Sequence, residues 1–228
     1  MKLSTLNKII SEMIESAIEE AVYPEGFDVA AFKALPSFAA RIKYVKQRLP
    51  KVAQGSARAV FIVDENTVLK VAMNAKGKAQ NNVEADLGRA GYYPVAHVYE
   101  VGDDGVWIEM EKAQKITTKT FKQVSGMPFD RFAEIILYFD AERNGKNHYW
   151  DKPEGYDEIW DEGIPLIKEI MDLIGNYDMP GGDIARISSW GIVARDGKQE
   201  LVLIDFGLTK SVWDDYYAPK NKQPIFGR

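Results

Sequence analysis

The hydrophobic period changes along this chain, and this change constrains the fold more than any other feature of the sequence. Residues 3–21 and 37–48 repeat apolar side chains every three or four positions, which is the period of an amphipathic helix. Residues 57–73 and 94–113 instead contain short apolar runs rich in β-branched and aromatic residues, which are typical of strands. The helical period returns at residue 127. This order predicts a chain of mixed helices and strands, of the α+β class.

The strand regions predict antiparallel pairs. Residues 57–73 hold two apolar runs around Asp64-Glu65-Asn66, so they predict a β-hairpin. A polar stretch then leads into a helix predicted over residues 83–90. The next two strand candidates are separated by a short Gly/Asp turn at residues 102–105, which predicts a second antiparallel pair.

The C-terminal half is predicted to be mainly helical until a last hairpin. Residues 127–142 place apolar side chains on one side of a helix, and a second apolar face runs over residues 160–174. Pro165 either splits this second segment or opens the first turn of a new helix. Residues 190–207 predict a hairpin whose loop is Arg195–Lys198.

The composition excludes several classes of protein. The chain has no cysteine, which excludes disulfides and thiolate zinc sites, and its two histidines are too few to favour a metal site built from histidines. Any metal is therefore expected to be a hard cation held by carboxylates. The net charge of -5 lacks the basic excess typical of a nucleic-acid binder. No apolar run approaches the roughly 20 residues that cross a bilayer, and acids interrupt the N-terminal segment. We therefore expect a protein of the cytoplasm, or one carried inside a particle, without a membrane segment.

Four charged residues occur in an order that indicates chemistry. Lys70 ends a predicted strand, Glu84 lies in the next helix, Asp183 follows two glycines, and Asp205 ends the last strand in Asp205-Phe206-Gly207. Three of them have a plain alternative: Lys70 as an edge-strand lysine facing solvent, Glu84 as a surface residue with Asp86 as its competitor, and Asp205 as part of a simple Asp-Phe-Gly turn. Their joint order and spacing carry the functional hypothesis.

Together these residues resemble the protein-kinase-like superfamily over roughly residues 53–210. The resemblance implies that Lys70 contacts the phosphates of ATP, that Glu84 holds Lys70, and that Asp205 binds Mg²⁺. It implies that Asp183 acts as the base, or orients the acceptor hydroxyl. The chain also looks like small kinase-like proteins encoded by bacteriophages, which would place it in the host cytoplasm or in a virion.

The resemblance also assigns the nucleotide-facing backbone. Gly55 is the one glycine in a loop where kinases usually have three, and Glu109 and Met110 occupy the position of the hinge that bonds adenine through its backbone. Arg58, just after this loop, is expected to be an exposed hairpin arginine, with a phosphate contact as the alternative.

The catalytic-loop segment departs from the family pattern. No His-Arg pair precedes Asp183, and Ser188 stands where an asparagine would bind a second metal ion, with Ser189 as the alternative if the loop has one extra residue. Arg186 is expected to balance charge on the transferred phosphoryl group, or alternatively to bond nearby carbonyls as a loop arginine.

These inferences predict a two-lobed minimal protein-kinase-like α+β fold. Residues 1–50 form a helical N-terminal extension, residues 51–113 an N-lobe with an antiparallel sheet and one helix, and residues 114–228 a reduced, mainly helical C-lobe. The stretch after Gly207, residues 208–228, has no room for the activation segment and further helices that grip peptide substrates, so the usual peptide-docking platform is not expected.

Three functional hypotheses follow. The first is an ATP- and Mg²⁺-binding phosphotransferase with an unspecified acceptor. The second is a catalytically inactive pseudokinase, an adaptor or virion-associated component that contacts a protein partner through the N-terminal helices or the aromatic tail, where the alternative for the tail is packing against the C-lobe. The third is a generic α+β binding protein, which predicts no nucleotide affinity. The aromatic tail is defined by Trp213, Tyr216 and Tyr217.

Overall fold

The computed structural model describes residues 21–102, 105–159 and 164–218. The helix predicted over residues 3–21 lies outside these ranges except for Ala21. Trp160, at the start of the second predicted helical face, also lies outside them, and the turn predicted at residues 102–105 is described only at its two glycines.

Two short helices precede the first strand. α1 spans Val29–Lys33 and α2 spans Phe38–Lys46, which lies within the segment predicted to be helical. Ser37 caps α2, because its hydroxyl accepts a hydrogen bond of 3.2 Å from the backbone N–H of Ala40. α1 was not predicted, since five residues are too few to display a helical period.

A five-stranded antiparallel sheet follows, with the strand order β1-β2-β3-β5-β4. Its strands are β1 Lys51–Gln54, β2 Arg58–Ile62, β3 Thr67–Ala72, β4 Val98–Val101 and β5 Trp107–Glu111. β2 and β3 confirm the hairpin predicted from residues 57–73, and β4 and β5 confirm the second antiparallel pair. β3 lies inside the sheet, between β2 and β5, so Lys70 is not an edge-strand residue.

The two N-terminal helices cover one face of this sheet. Phe32 and Val45 from the helices are buried in one apolar cluster with Phe61, Leu69 and Val71 from the strands. Because side chains alternate between the two faces of a strand, the residues between them on β3 point to the other face. On that other face α3, which spans Ala75–Arg89, covers part of the sheet, and Val68 and Lys70 line a cavity beside it.

The helix after β3 is longer than predicted. α3 spans Ala75–Arg89 and therefore begins eight residues before the predicted start at residue 83. Asn74 caps it by accepting a hydrogen bond of 3.2 Å from the backbone N–H of Gly77. Gln80 and Asn81 are buried in this helix against polar partners instead of apolar ones. A buried polar face carries no apolar period, which is why the first half of α3 escaped prediction.

The remaining described residues are mainly helical. Their helices are α4 Thr118–Ser125, α5 Phe129–Arg143, α6 Pro165–Tyr177, α7 Gly181–Ile184 and α8 Lys210–Tyr216. Pro165 is in the first turn of α6, so the second of the two predictions for this proline, a new helix start, is confirmed.

A small second sheet contains β6 Gln114–Lys115, β7 Trp190–Arg195 and β8 Lys198–Leu203, in the order β6-β7-β8. β7 and β8 confirm the predicted C-terminal hairpin. Its turn residues Asp196 and Gly197 have φ angles of 50° and 73°, as a type I′ turn requires.

One apolar core joins the first sheet to the C-terminal helices. Leu87 of α3 and Met110 of β5 belong to the same buried cluster as Ile135, Ile170 and Trp190. The two parts are therefore packed on each other rather than linked by a tether. Within the described ranges, no helix is both long enough and apolar enough to cross a membrane.

Candidate active site

A cavity of about 590 Å³ lies between the Lys70 face of the five-stranded sheet and the C-terminal part of the chain. β2 and β3 line it from one side, and the segments around Asp183 and Asp205 line it from the other. A second cavity of about 400 Å³ adjoins it, and both are lined by Asp183 and Arg186.

Lys70 and Glu84 form a buried ion pair at the back of this cavity. Lys70 Nζ lies 2.7 Å from Glu84 Oε2, and Glu84 is 0% exposed. The other oxygen, Glu84 Oε1, accepts a hydrogen bond of 3.2 Å from the backbone N–H of Phe206. Burial lowers the pKa of Lys70, Glu84 opposes this shift, and the nearby Arg58 adds to it. Of the two predicted partners for Lys70, the structure brings Glu84 to it and leaves Asp86 exposed.

Arg58 belongs to the site, although the sequence favoured an exposed position for it and a phosphate contact only as the alternative. The prediction of an exposed hairpin arginine is wrong, because its side chain is only 9% exposed. Its Nη1 lies 2.8 Å from Glu84 Oε2 and its Nη2 lies 2.5 Å from Asp205 Oδ1. Burial opposes its charge, but Glu84 and Asp205 hold the pKa of Arg58 above its ordinary value.

The strand alternation contained a signal for Arg58. Arg58, Val60 and Ile62 are spaced two apart on β2, and all three line the cavity. Side chains at this spacing share one face of a strand. The alternation along β2 therefore puts Arg58 on the face that lines the cavity, although a charged side chain would ordinarily be expected in solvent.

Asp205 lies two residues after the end of β8 and faces the cavity mouth. Its side chain is 67% exposed, whereas the neighbouring Phe206 is 1% exposed and anchors the segment in the core. Gly207 passes close to α3, where an added Cβ would lie 2.5 Å from the backbone oxygen of Gln80. Glycine is thus required at position 207 because the backbone there passes close to the backbone of α3. The alternative of a simple turn attributed the glycine to the turn itself.

Asp183 and Arg186 lie together on the C-terminal side of the cavity. Arg186 Nη1 is 3.0 Å from Asp183 Oδ1, in an ion pair whose arginine is 68% exposed. Burial raises the pKa of Asp183, Arg186 opposes this shift, and Asp205 adds to it. Arg186 therefore pairs with the Asp183 carboxylate, whereas the alternative from the sequence was hydrogen bonding to nearby loop carbonyls.

The two serines of this segment take different positions. Ser189 is buried, and its hydroxyl donates a hydrogen bond of 2.7 Å to the backbone carbonyl of Asp183. Both serines line the cavity, but Ser188 is exposed, whereas the Ser189 hydroxyl is already bonded to a backbone carbonyl. The geometry therefore favours Ser188 over Ser189 as the residue facing a ligand.

The two predicted hinge residues point in opposite directions. Met110 lines the cavity, but Glu109 is not among the residues that line it. The Glu109 carboxylate is buried on the opposite face and accepts a hydrogen bond of 2.5 Å from the hydroxyl of Tyr23. Its backbone lies in the ladder between β3 and β4. The structure therefore does not place Glu109 at the cavity, contrary to the prediction, because its side chain lies on the opposite face of β5 and its backbone pairs with the neighbouring strands.

The cavity wall continues from Glu111, the last residue of β5, through Lys112 and Ala113. On the other side, Gly55 lies in the turn between β1 and β2 and also lines the cavity. Its backbone N–H donates a hydrogen bond of 2.9 Å to the carbonyl of Arg58. A Cβ at Gly55 would meet nothing within 4 Å, so this turn leaves open space above the cavity.

The aromatic tail closes one side of the cavity. Tyr217 lines it and accepts a hydrogen bond of 3.1 Å from Gln80 Nε2 of α3. The Nζ atom of Lys76, also on α3, lies 4.4 Å from the centroid of the Tyr217 ring. Packing of the tail against the C-terminal helices was the expected alternative to a partner surface, and for Tyr217 the contact is with α3 instead. Trp213 remains 45% exposed.

The cavity offers oxygen donors that could hold Mg²⁺. No cluster of three or more acidic, histidine or cysteine side chains capable of holding a metal occurs in the part of the chain that the structure describes. Mg²⁺ needs no such cage, since it is commonly held by one or two carboxylates together with substrate phosphates and waters. Asp205, with Ser188 on the same cavity wall, fits that weaker requirement.

Comparison with known proteins returned solved structures alone. No family model matches the chain, and no curated protein does. One similar structure is the streptomycin-ATP ternary complex of APH(2")-IIa, with 17% identity, a TM-score of 0.28, and an alignment covering 57% of this chain and 42% of that chain. Another is the ADP-bound aminoglycoside phosphotransferase APH(2'')-Ib, with 16% identity, a TM-score of 0.31, and 73% and 69% of the two chains covered. The chain thus spans less than half the length of the first of these structures.

Proposed function

We propose that this chain is a two-lobed protein-kinase-like phosphotransferase that binds Mg-ATP in the 590 Å³ cavity. In this proposal residues 51–113 form the N-lobe, residues 114–228 form the C-lobe, and residues 1–50 add a helical layer. Nucleotide binds between the lobes, and the acceptor is left unspecified.

The observation that carries the proposal is the convergence of Lys70, Glu84 and Asp205. Lys70 Nζ contacts both Glu84 Oε2, at 2.7 Å, and the carbonyl of Ile204, at 2.6 Å, which is the residue before Asp205. Holding a lysine against a buried glutamate removes the freedom of its long stem, so its charge is pre-positioned for phosphates. Asp205 lines the same cavity as Lys70, and in this proposal its carboxylate holds the cation that the phosphates bring.

The remaining roles follow from position. Met110 and the backbone of residues 111–113 are the candidate contacts for the base, and Gly55 leaves space for the phosphates under the β1–β2 turn. Mg²⁺, when bound through Asp205 and Ser188, would neutralise charge on the phosphates. Asp183 holds or accepts the proton of an acceptor hydroxyl, and Arg186 keeps that carboxylate ionised.

The second cavity supports a separate acceptor. Its 400 Å³ volume reaches Asp183 and Arg186 from the side opposite to Lys70 and β3, which do not line it. A hydroxyl compound bound there would meet Asp183 while the nucleotide occupies the larger cavity.

The test is calorimetric titration of the full chain with Mg-ATP, followed by Lys70→Ala and Asp205→Ala. Lys70→Ala is expected to weaken binding roughly tenfold or more, since a charged partner of the phosphates is removed. Asp205→Ala should abolish the gain in affinity that Mg²⁺ provides. Lys119→Ala, an exposed lysine on α4, is the matched control and should bind as wild type. Absence of binding by the wild type, or wild-type affinity in both site variants, would overturn the proposal.

A second candidate function is a pseudokinase that binds nucleotide without turnover. Two observations favour it: the Asp205 carboxylate is paired with Arg58, and a serine hydroxyl, a poorer cation ligand than an amide carbonyl, faces the cavity at Ser188. The exposed Trp213 then marks a surface for a protein partner. Mg-ATP binding without transfer to water, to the chain itself or to host extract would favour this candidate over the first. Gain of turnover in Ser188→Asn would count against it.

A further inference from the structure

Arg58 is a buried cation that lines the cavity, and the proposed function assigns no role to it. It lies at the first position of β2, directly after the turn that contains Gly55, and its guanidinium bridges Glu84 and Asp205. The two ion-pair distances are 2.8 Å and 2.5 Å, so both ends of the guanidinium fork are occupied.

The charges around Arg58 do not balance inside the cavity. Arg58 and Lys70 are both buried cations, and both contact the same oxygen, Glu84 Oε2. One buried carboxylate therefore serves two buried cations. The second negative charge comes from Asp205, whose side chain is 67% exposed and is the candidate ligand of a metal. If Asp205 turns to a cation, Arg58 is left with an unpaired donor edge facing the cavity.

We propose that Arg58 is a second phosphate-binding residue of this site, held by Asp205 until a nucleotide arrives. The inference rests on the proposed function. On binding, Arg58 Nη2 exchanges the Asp205 carboxylate for a phosphate oxygen, and Asp205 is released to the cation. Arg58 exchanges a carboxylate for a phosphate, and Asp205 exchanges a guanidinium for a cation. The exchange therefore leaves no buried charge unpaired.

The position of Arg58 supports a phosphate-binding role over a purely structural one. A loop with one glycine offers fewer close backbone N–H contacts to phosphate than a loop with three, and an arginine at the start of the next strand supplies donors at the same place. Glu84 holds one edge of the guanidinium in the core, while its other partner lies at the exposed mouth of the cavity. A ligand can therefore displace the outer partner without disturbing the inner one.

The test compares ATP with adenosine, because a phosphate contact affects only the first. The full chain is titrated by calorimetry with ATP and with adenosine, each with and without Mg²⁺. Arg58→Gln is expected to weaken ATP binding about tenfold or more while adenosine affinity changes by less than about twofold. Arg58→Lys, which keeps the charge but not the fork, should lower the ratio of the two affinities less than Arg58→Gln does.

The matched control is Arg195→Gln. Arg195 is also largely buried, with 17% of its side chain exposed, and it also bridges two carboxylates, those of Glu111 and Glu200. It does not line the cavity. Its loss is expected to lower the melting temperature while leaving the ATP-to-adenosine ratio unchanged. An unchanged ratio in Arg58→Gln would overturn the inference. If that variant does not fold, an unchanged ratio in Arg58→Lys would do so.

Asp205→Asn provides an independent measurement on a residue whose exposure makes the substitution tolerable. Without Mg²⁺, this change should strengthen ATP binding at least about threefold more when Arg58 is present than in the Arg58→Gln background, since it frees the guanidinium. Equal gains in the two backgrounds would mean that Asp205 only repels the phosphates, and would overturn the inference. Failure of the wild type to bind any nucleotide would instead reject the proposed function.

Discussion

Lys70 Nζ donates a hydrogen bond of 2.6 Å to the backbone carbonyl of Ile204, although the two residues lie 134 positions apart. The bond ties the middle of β3 to the end of the C-terminal hairpin. Asp205 is the next residue, and its carboxylate is near enough for its charge to favour the protonated form of Lys70, which opposes the lowering of the lysine pKa by burial. This one contact therefore brings together two charges that are distant in the sequence.

Glu84 is expected to be the most important single charge for stability. Glu84→Gln leaves Lys70 and Arg58 buried without their shared carboxylate, so the free energy of unfolding should fall by about 3–5 kcal/mol. Asp86→Asn, an exposed acid on the same helix, is the control and should change it by less than about 0.5 kcal/mol. Urea denaturation of both variants measures the difference. Equal stability of the two variants would contradict the ion-pair assignment.

Asp183 is expected to affect turnover and not binding. Asp183→Asn keeps the shape of the side chain but removes the carboxylate that accepts or orients a proton, so the rate of phosphoryl transfer or ATP hydrolysis should fall by about 10² to 10⁴. The Kd for Mg-ATP should stay within about twofold of wild type. Steady-state kinetics and calorimetry on the same samples separate the two effects. Asp157→Asn, at an exposed ion pair with Lys152, is the control. A parallel loss of binding in Asp183→Asn would argue against a role confined to the acceptor.

The ion pair between Asp183 and Arg186 predicts a pH dependence. Burial raises the pKa of Asp183 and Arg186 opposes that rise, so removing the arginine raises this pKa further. The ionised carboxylate is the active form, and activity is lost as the pH falls through its pKa. The acid limb of the kcat profile should therefore move to higher pH in Arg186→Gln.

Arg131→Gln is the matched control for that profile. Arg131 forms an ion pair of 2.8 Å with Glu134 at the same sequence spacing of three residues, and it does not line either cavity. The acid limb of the kcat profile of Arg131→Gln should coincide with that of the wild type. A limb that moves to lower pH in Arg186→Gln, or not at all, would show that Arg186 does not hold Asp183 ionised.

Gly207 is expected to be intolerant of a side chain. A Cβ there would lie 2.5 Å from the backbone oxygen of Gln80, so Gly207→Ala must push the Asp205 segment away from α3. The expected loss is about 1–3 kcal/mol in the free energy of unfolding. Gly182→Ala is the control, because a Cβ at Gly182 meets nothing within 4 Å. That change should be neutral or stabilise by up to about 1 kcal/mol, since it reduces the entropy of the unfolded chain. Thermal and urea denaturation distinguish the two outcomes.

Local pattern predicted much of the fold. The hairpins of β2–β3 and β7–β8 were predicted because apolar runs and turn residues are local signals, and Asp196-Gly197 shows how a two-residue turn sets such a pairing. The start of α3 was not predicted, because its first turns bury polar side chains whose partners lie elsewhere in the chain. Periodicity detects burial against apolar groups and is blind to burial against polar ones.

The same division applies to the site. The sequence alone determined that Lys70 lies on a strand, that Glu84 lies on the following helix and that Asp205 comes shortly after the last strand, two residues beyond its end, since these positions depend on neighbouring residues. Tertiary structure alone decided that Glu84 and not Asp86 meets Lys70, that Glu109 turns to Tyr23, and that Arg58 is buried. Which face of an element is buried, and against which charge, depends on residues that the chain brings near only when it folds. For a long polar side chain such as that of Arg58, the position of its distant partners outweighs the local preference for solvent.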